Sequence, residues 1–468
     1  MENGRMKRRE LLRWSATAAA GALLVACTPT TVKETVVVTQ KETVVVEKKE
    51  TVVVEKVVTS APAKAGPATV RWGSWAVGSE FFQQLADQFQ AQNPEIKIQQ
   101  EAAPWSEYWD RMQVQMAAGE AADVLWMSGA MFLNFVQKNF FLEMTPLADA
   151  AGLKLDDYFL QADVFTYKGK VYAWPWFHTV SSCWFNKSLF DEASVPYPPT
   201  KWEEAWTWDQ FLETAKKLTK KRSDGRMQYG ALVHGAFEQC WGAFVWSNGG
   251  DVMNKELTKS TMSDTKAVEG IQFLVDLIHK HQVAPKPGDP STFIEGAPSP
   301  FEAGLVAMHV HSSAMSDAYA KITAFEAHAC VVPKAPNGTA CCSFNGNPNC
   351  IPASSKVKDA AWKFVSFLGS RGGMEAMARM KLGMPANKEV CYDANLYLKP
   401  PPWDLQVFAD AMKIACCNDL RFVRLWLEWV SALESPISLA LTGEMGVKEA
   451  CAKADTDCNK VLERSIAG

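Results

Sequence analysis

The chain has 468 residues, of which 48% are hydrophobic and 21% charged, with a formal net charge of -4. This composition excludes a disordered or fibrous chain, and the slight acidity removes the basic footprint of a duplex binder, so no nucleic-acid partner is expected. Eighteen Trp against seven His is the outlier; such rings fill cores, or they line a site whose ligand has apolar faces and polar edges. At roughly 100 to 200 residues per domain, the length implies two or three compact units.

Lys7, Arg8, Arg9 and Arg13 precede an apolar run of 13 residues, Trp14 to Ala26. That run is short of the roughly 20 needed to span a bilayer and fits a signal peptide over residues 1–26. Its end, Leu24-Val25-Ala26-Cys27, resembles a bacterial lipobox, which implies that Cys27 becomes the lipidated first residue of the mature chain. Lys7-Arg8-Arg9-Glu10-Leu11-Leu12-Arg13 also resembles a twin-arginine export signal, so that route and general secretion are both open. Next, KETVVV recurs at Lys33, Lys41 and Lys49 with a period of eight. Val triplets between Lys and Glu bury little apolar area and have no partner strand, so residues 27–67 are predicted to be the lipidated Cys27 and a flexible tether. The alternative is a β-hairpin belonging to the main fold.

From residue 68 the pattern changes. Thr69 to Trp72 predicts a strand, Phe82, Leu85, Ala86 and Phe89 a helix that Asn93-Pro94 ends, and Ile96 to Ile98 a second strand. Trp105 to Ala118 predicts another helix, and Asp123 to Met127 a buried strand. A β-α-β-α-β order argues for an α/β sheet covered by helices, whose ligands sit beyond the carboxyl ends of strands. Trp75, Ser79, Glu80 and Ser128 stand at such ends.

Farther on, Tyr172-Ala173-Trp174-Pro175-Trp176-Phe177-His178 leads to Phe185-Asn186-Lys187-Ser188-Leu189-Phe190. A Pro-containing strand end, a bridging segment and aromatic-Asn-Lys-x-Leu-Phe resemble the extracellular solute-binding proteins of family 1, the maltose-binding-protein-like receptors that deliver sugars to ABC importers. The likeness extends through Phe89 to Ile98, Ala117-Ala118-Gly119 before Asp123-Val124, Pro199-Thr200, Trp208 to Leu218, Ala303-Gly304 to Met308, Ser355 to Leu368, and Gly383 to Asn387. Their order over the body is more specific than any one of them.

The resemblance implies an α/β, two-lobed fold of the periplasmic-binding-protein type II kind, with a ligand cleft between lobes. One lobe would take residues 68–177 and 347–397, the other 178–346 and 398–468. The implied ligand residues are Trp75, Glu80, Ser128, Trp174, Trp176, His178, Glu238, Trp241, His311, Ser312, Gly346, Asn347 and Trp429. Trp, Glu and Asn suit a pyranose, which presents C–H bonds on its faces and hydroxyls at its rim. Two positions depart from the family pattern. Ser312-Ser313-Ala314 places Ala where a stacking Trp is common, and Asn347 stands where an aromatic or Gly is common.

The implied molecule is a monomeric, lipid-anchored receptor on the outer face of the bacterial cytoplasmic membrane. It would pass a sugar or similar polyol to membrane permease subunits, with no cofactor and no catalysis. Two alternatives stand beside it. One is a receptor for an amine, with Glu238 and Glu80 pairing the cation and Trp supplying cation-π contacts; the other is a surface glycan hydrolase. His309-Val310-His311 has strand spacing for two imidazoles on one face, repeated by His279 and His281, but no further metal ligands accompany either pair. Nucleotide-loop, zinc-protease and nucleophile-elbow motifs are absent, and Asp156-Asp157 and Glu203-Glu204 lie in polar stretches.

Twelve Cys are present, and setting Cys27 aside leaves an odd number, so at least one thiol is free or pairs between molecules. Cys341 or Cys342 with Cys350, and Cys451 with Cys458, are near enough along the chain for disulfides, with connectivity open.

Overall fold

The computed structural model describes residues 67–75, 79–158, 165–294, 297, 299–336, 338–379, 383–398, 405–414, 417–419 and 423–467. The predicted signal peptide, Cys27 and all but the last residue of the predicted tether lie outside the described residues.

The body begins with the predicted alternation, as β1 (Ala68–Trp75), α1 (Ser79–Gln92), β2 (Ile96–Ala103), α2 (Trp105–Ala118) and β3 (Val124–Trp126). β1 runs parallel to β2, Trp75 opposite Ala103, and parallel to β3, Trp72 opposite Val124. In α2, Tyr108, Trp109, Met112 and Met116 recur at helical spacing and are buried, and Gly119 closes the helix in the left-handed region. The Tyr108 hydroxyl donates to the Trp126 carbonyl at 2.8 Å, fastening α2 to the end of β3.

The main elements that follow are α3 (Gly129–Val136), β4 (Trp174–Asn186), α4 (Trp208–Leu218), β5 (Lys220–Lys221), β6 (Met227–Leu232), α5 (Gly242–Ser247), α6 (Thr265–His279), β7 (Val306–Ser312), β8 (Ala327–Cys330), β9 (Cys342–Cys350), α7 (Lys358–Leu368), β10 (Met384–Pro385), β11 (Cys417–Asp419), α8 (Trp426–Thr442) and α9 (Val447–Ala467). Among the described residues eleven strands form one sheet along the path β2-β1-β3-β9-β4-β7-β6-β5. β8 and β10 attach to β4, and β11 to β9.

The segment predicted as a strand end and a bridge is one strand of 13 residues, β4. Trp174 to Val180 pairs antiparallel with β9, and Ser181 to Phe185 pairs antiparallel with β7. β4 therefore belongs to two half-sheets and changes partner between Val180 and Ser181.

Local chemistry explains the helices of the second half-sheet. Thr207 and Gln210 form a reciprocal capping box at the start of α4, which buries Trp208, Phe211, Ala215 and Leu218. α4 lies so close to β6 that a Cβ added at Gly230 would stand 2.1 Å from the Ala215 carbonyl oxygen. Asp455 of α9 accepts from the backbone N–H groups of Met262 at 2.7 Å and Ser263 at 2.9 Å, tying the last helix to the loop before α6.

The short-range disulfides do not form: Cys350, Cys451 and Cys458 are free thiols. Cys342 and Cys350 stand at opposite ends of β9, about 26 Å apart at strand rise. Cys451 and Cys458 are separated by about 10 Å along α9, beyond disulfide reach. Cys341 is in a disulfide, with a partner other than those thiols.

Candidate ligand site at the strand crossing

The strand directions define where a ligand can sit. β9 is antiparallel to both β3 and β4, so β1, β2, β3 and β4 run the same way, and the first three end facing the later part of β4. β7 runs against β4, its end Ser312 meeting Ser181, and β6 runs with β7. The carboxyl edges of the two half-sheets thus face each other across the point where β4 changes partner, the place such sheets use for ligands.

On the first edge Ser128 leads into α3. Its hydroxyl lies 3.2 Å from Asn345 Nδ2, which donates to it. A Cβ at Gly129 would lie 3.2 Å from the Gly346 carbonyl oxygen, so the absent side chain lets α3 approach β9. Thr179, half-buried, pairs with Asn345, and Gly346 pairs with His178. Asn347 is buried and donates to the Asn345 carbonyl at 3.2 Å. His178 lies between Phe165 and Phe344, and burial pushes it down to about 3, so it is neutral.

Across the crossing, Ser343 N–H donates to the Ser181 hydroxyl at 2.7 Å, and the Ser343 hydroxyl donates to the Glu238 carbonyl. The Glu238 side chain ends in a buried Oε2 that has no hydrogen-bond partner among the described residues. Burial, then the neighbouring Glu434, raise its pKa to about 7. Glu434, midway along α8, accepts from the Phe237 N–H at 2.6 Å, and burial raises it as well. No sequence pattern singles out Glu434, because it meets Glu238 only after folding brings α8 beside the loop that follows β6.

Ser312 is buried, and its hydroxyl accepts from the Ala314 N–H at 3.3 Å, leaving Ala314 exposed where the family pattern has Trp. His311 Nδ1 accepts from the Ser312 N–H at 2.8 Å, and burial holds the ring near 4. His309 Nδ1 lies 2.5 Å from the Tyr319 hydroxyl. Among the described residues no three His, Cys, Asp or Glu side chains are arranged to hold a metal ion.

The tryptophans divide sharply. Trp174, Trp176, Trp241 and Trp429 are at most 1% exposed. Trp174 is edge-on to Trp362 and Tyr158, Trp176 lies among Trp72, Phe82 and Trp126, Trp241 lies against Phe237, and Trp429 stacks with Trp426. Most of the Trp excess is therefore core, and these four rings contact protein where the resemblance implies ligand. Trp75 is buried at the end of β1 and stacks on Trp126 at 3.6 Å. Trp105, absent from the implied set, is 44% exposed and meets Trp75 edge-on at 4.9 Å. Its signal was a Trp following Pro104 at the end of a strand. Glu80 lies in the first turn of α1, and its side chain is outside the described residues.

Two cavities of about 570 Å³ open elsewhere, one beside Trp202, Lys334 and Lys413, the other beside Tyr197 and Trp206. Neither takes in residues of the crossing.

A family model described as bacterial extracellular solute-binding protein matches residues 72–375, more than half of the chain. The chain belongs to this family. Its members are non-catalytic transport receptors. This solute-binding protein is similar to a binding protein of Brucella abortus (strain 2308), 23% identical over 397 residues that cover 81% of this chain and 90% of the relative. In structure it is similar to an ABC substrate-binding protein of Listeria monocytogenes in complex with cycloalternan, with a TM-score of 0.75, 23% identity, and coverage of 85% of this chain and 99% of that one. Maltose-bound T. maritima MalE3 gives a TM-score of 0.69 at 22% identity, again over 85% of this chain and 99% of that one. The fold of this solute-binding protein is the mixed α/β periplasmic-binding-protein architecture.

Proposed function

We propose that the protein captures a carbohydrate or similar polyol at the strand crossing and passes it to the permease subunits of an ABC importer. The observation that carries this reading is the convergence of two carboxyl edges on β4 and β9, with Ser128, Thr179 and Asn345 on one side and Ser312, Glu238 and Glu434 on the other. Hydroxyl, amide and carboxylate groups match the rim of a sugar, and the unpartnered Glu238 Oε2 is an acceptor awaiting a hydroxyl. Relatives of the same fold were solved with cycloalternan and with maltose.

On this reading residues 68–177 with 347–397, and 178–346 with 398–468, are the two lobes, and β4 and β9 carry the hinge. Closure occurs when contacts with the ligand offset the cost of ordering the closed form. Cys27, lipidated after export, holds the monomer at the outer face of the membrane. A diacylglyceryl mass on the Cys27 peptide supports the anchor, and an unmodified Cys27 in the exported protein refutes it.

Calorimetric titration of the full chain with mono- and oligosaccharides tests the main proposal. Saturable binding of at least one sugar supports it, and heat from none overturns it. The adjoining carboxylates of Glu238 and Glu434 favour a second reading, a cationic amine as ligand. A hit among polyamines with no sugar binding would select it.

A further inference from the structure

Every tryptophan among the described residues is buried except Trp105, which is 44% exposed. That exposure is placed rather than scattered. Trp105 opens α2 directly after β2 ends at Ala103, and Ala103 stands opposite Trp75 at the end of β1. Its ring therefore lies on the carboxyl edge of the first half-sheet, the edge that carries Ser128.

The ring is also fixed from behind. Trp126 stacks on Trp75 at 3.6 Å with 28° between planes, Trp75 meets Trp105 edge-on at 4.9 Å, and Trp105 meets Trp109 edge-on at 5.2 Å. Trp109 and Trp126 are at most 1% exposed, so the outermost indole is braced by a core that does not move with it. A braced, half-open indole loses little freedom on binding and offers a flat apolar surface.

We propose that Trp105, braced by Trp75, is a stacking platform for a second sugar ring, which makes the ligand an oligosaccharide rather than a monosaccharide. This rests on the carbohydrate reading above. The first ring takes the hydroxyl, amide and carboxylate groups of the crossing, and the next ring along the chain lays its C–H face on Trp105. The platform supplies contact area without hydrogen-bond readout, so it selects for length more than for the identity of the second sugar.

The test compares the unaltered full chain with W105A and W105F in titrations against matched mono-, di- and trisaccharides. The unaltered protein is expected to bind the di- or trisaccharide at least tenfold more tightly than the monosaccharide. W105A should lose that gain while keeping its monosaccharide affinity, and W105F should keep most of it. A second measurement needs no variant: hydroxyl-radical footprinting of the unaltered chain should show oxidation of Trp105 suppressed by the oligosaccharide and not by the monosaccharide. Equal affinity of W105A and the parent for the oligosaccharide, or Trp105 oxidation unaffected by any bound sugar, would overturn the platform and leave the carbohydrate reading standing. Absence of binding by sugars of every length would overturn both.

Discussion

Burial gives Glu238 and the histidines around the crossing opposite responses to acid. Glu238 has a pKa raised from 4.5 to about 7, so the folded state holds its proton more tightly than the unfolded chain does. Its contribution to stability is complete below about pH 4.5 and is lost as the pH rises through about 7. Glu238→Gln should therefore be more stable than the parent at pH 8, by up to about 3 kcal/mol, and nearly equal to it at pH 4.5. Urea unfolding at the two pH values checks this, and a pH-independent offset would refute it. His178, His234 and His311 are held neutral near 3, 4 and 4, and His309 is lowered as well, all chiefly by burial. Their contribution is present above the ordinary value of 6.5 and is lost as the pH falls toward those lower values. Each adds a slope of up to about 1.4 kcal/mol per pH unit below about pH 6, so acid should unfold the molecule steeply. His178→Gln should flatten that slope, read as the urea midpoint against pH. The family resemblance marks Glu238 and His178 as ligand residues, but burial decides their chemistry, and neighbours such as Glu434 are distant in the chain.

Elements were legible where one face is wet. α2 and α4 alternate buried and exposed positions at helical spacing; α2 is predicted at its observed bounds, and the α4 stretch Trp208 to Leu218 is legible only as one of the segments that resemble the family. β4 is buried along nearly its whole length, so the period-two pattern that marks a half-exposed strand vanishes, and its continuity through the crossing was not readable. The same ambiguity hid the division of the tryptophans, since a core ring and a ligand-facing ring have identical composition. Two element-scale outcomes follow from α4. Thr207→Ala removes the acceptor of the capping box and should lower stability by about 1 kcal/mol in urea unfolding. Gly230→Ala forces a methyl into backbone atoms of α4 that cannot move aside, and should lower stability by about 3 kcal/mol or prevent folding. A stable, unperturbed Gly230→Ala protein would mean that α4 and β6 do not pack as described.

At the scale of the molecule, one strand serving two half-sheets makes the crossing the floor of the proposed site and, on the proposed reading, its hinge. Saturating sugar is expected to reduce the radius of gyration in small-angle scattering, and to raise the free energy of unfolding by about 2.7 kcal/mol at a ligand concentration 100 times Kd. An unchanged envelope with tight binding would mean that the halves are already together without ligand. The buried thiols have a practical consequence. Cys183 and Cys330 face each other between β4 and β8, Cys350 ends β9, and Cys451 and Cys458 are buried residues of α9. A water-borne alkylating reagent reaches each only when its own surroundings come apart, so peptide-resolved labelling times would work as a set of internal clocks, reporting which region loosens first without any engineered probe.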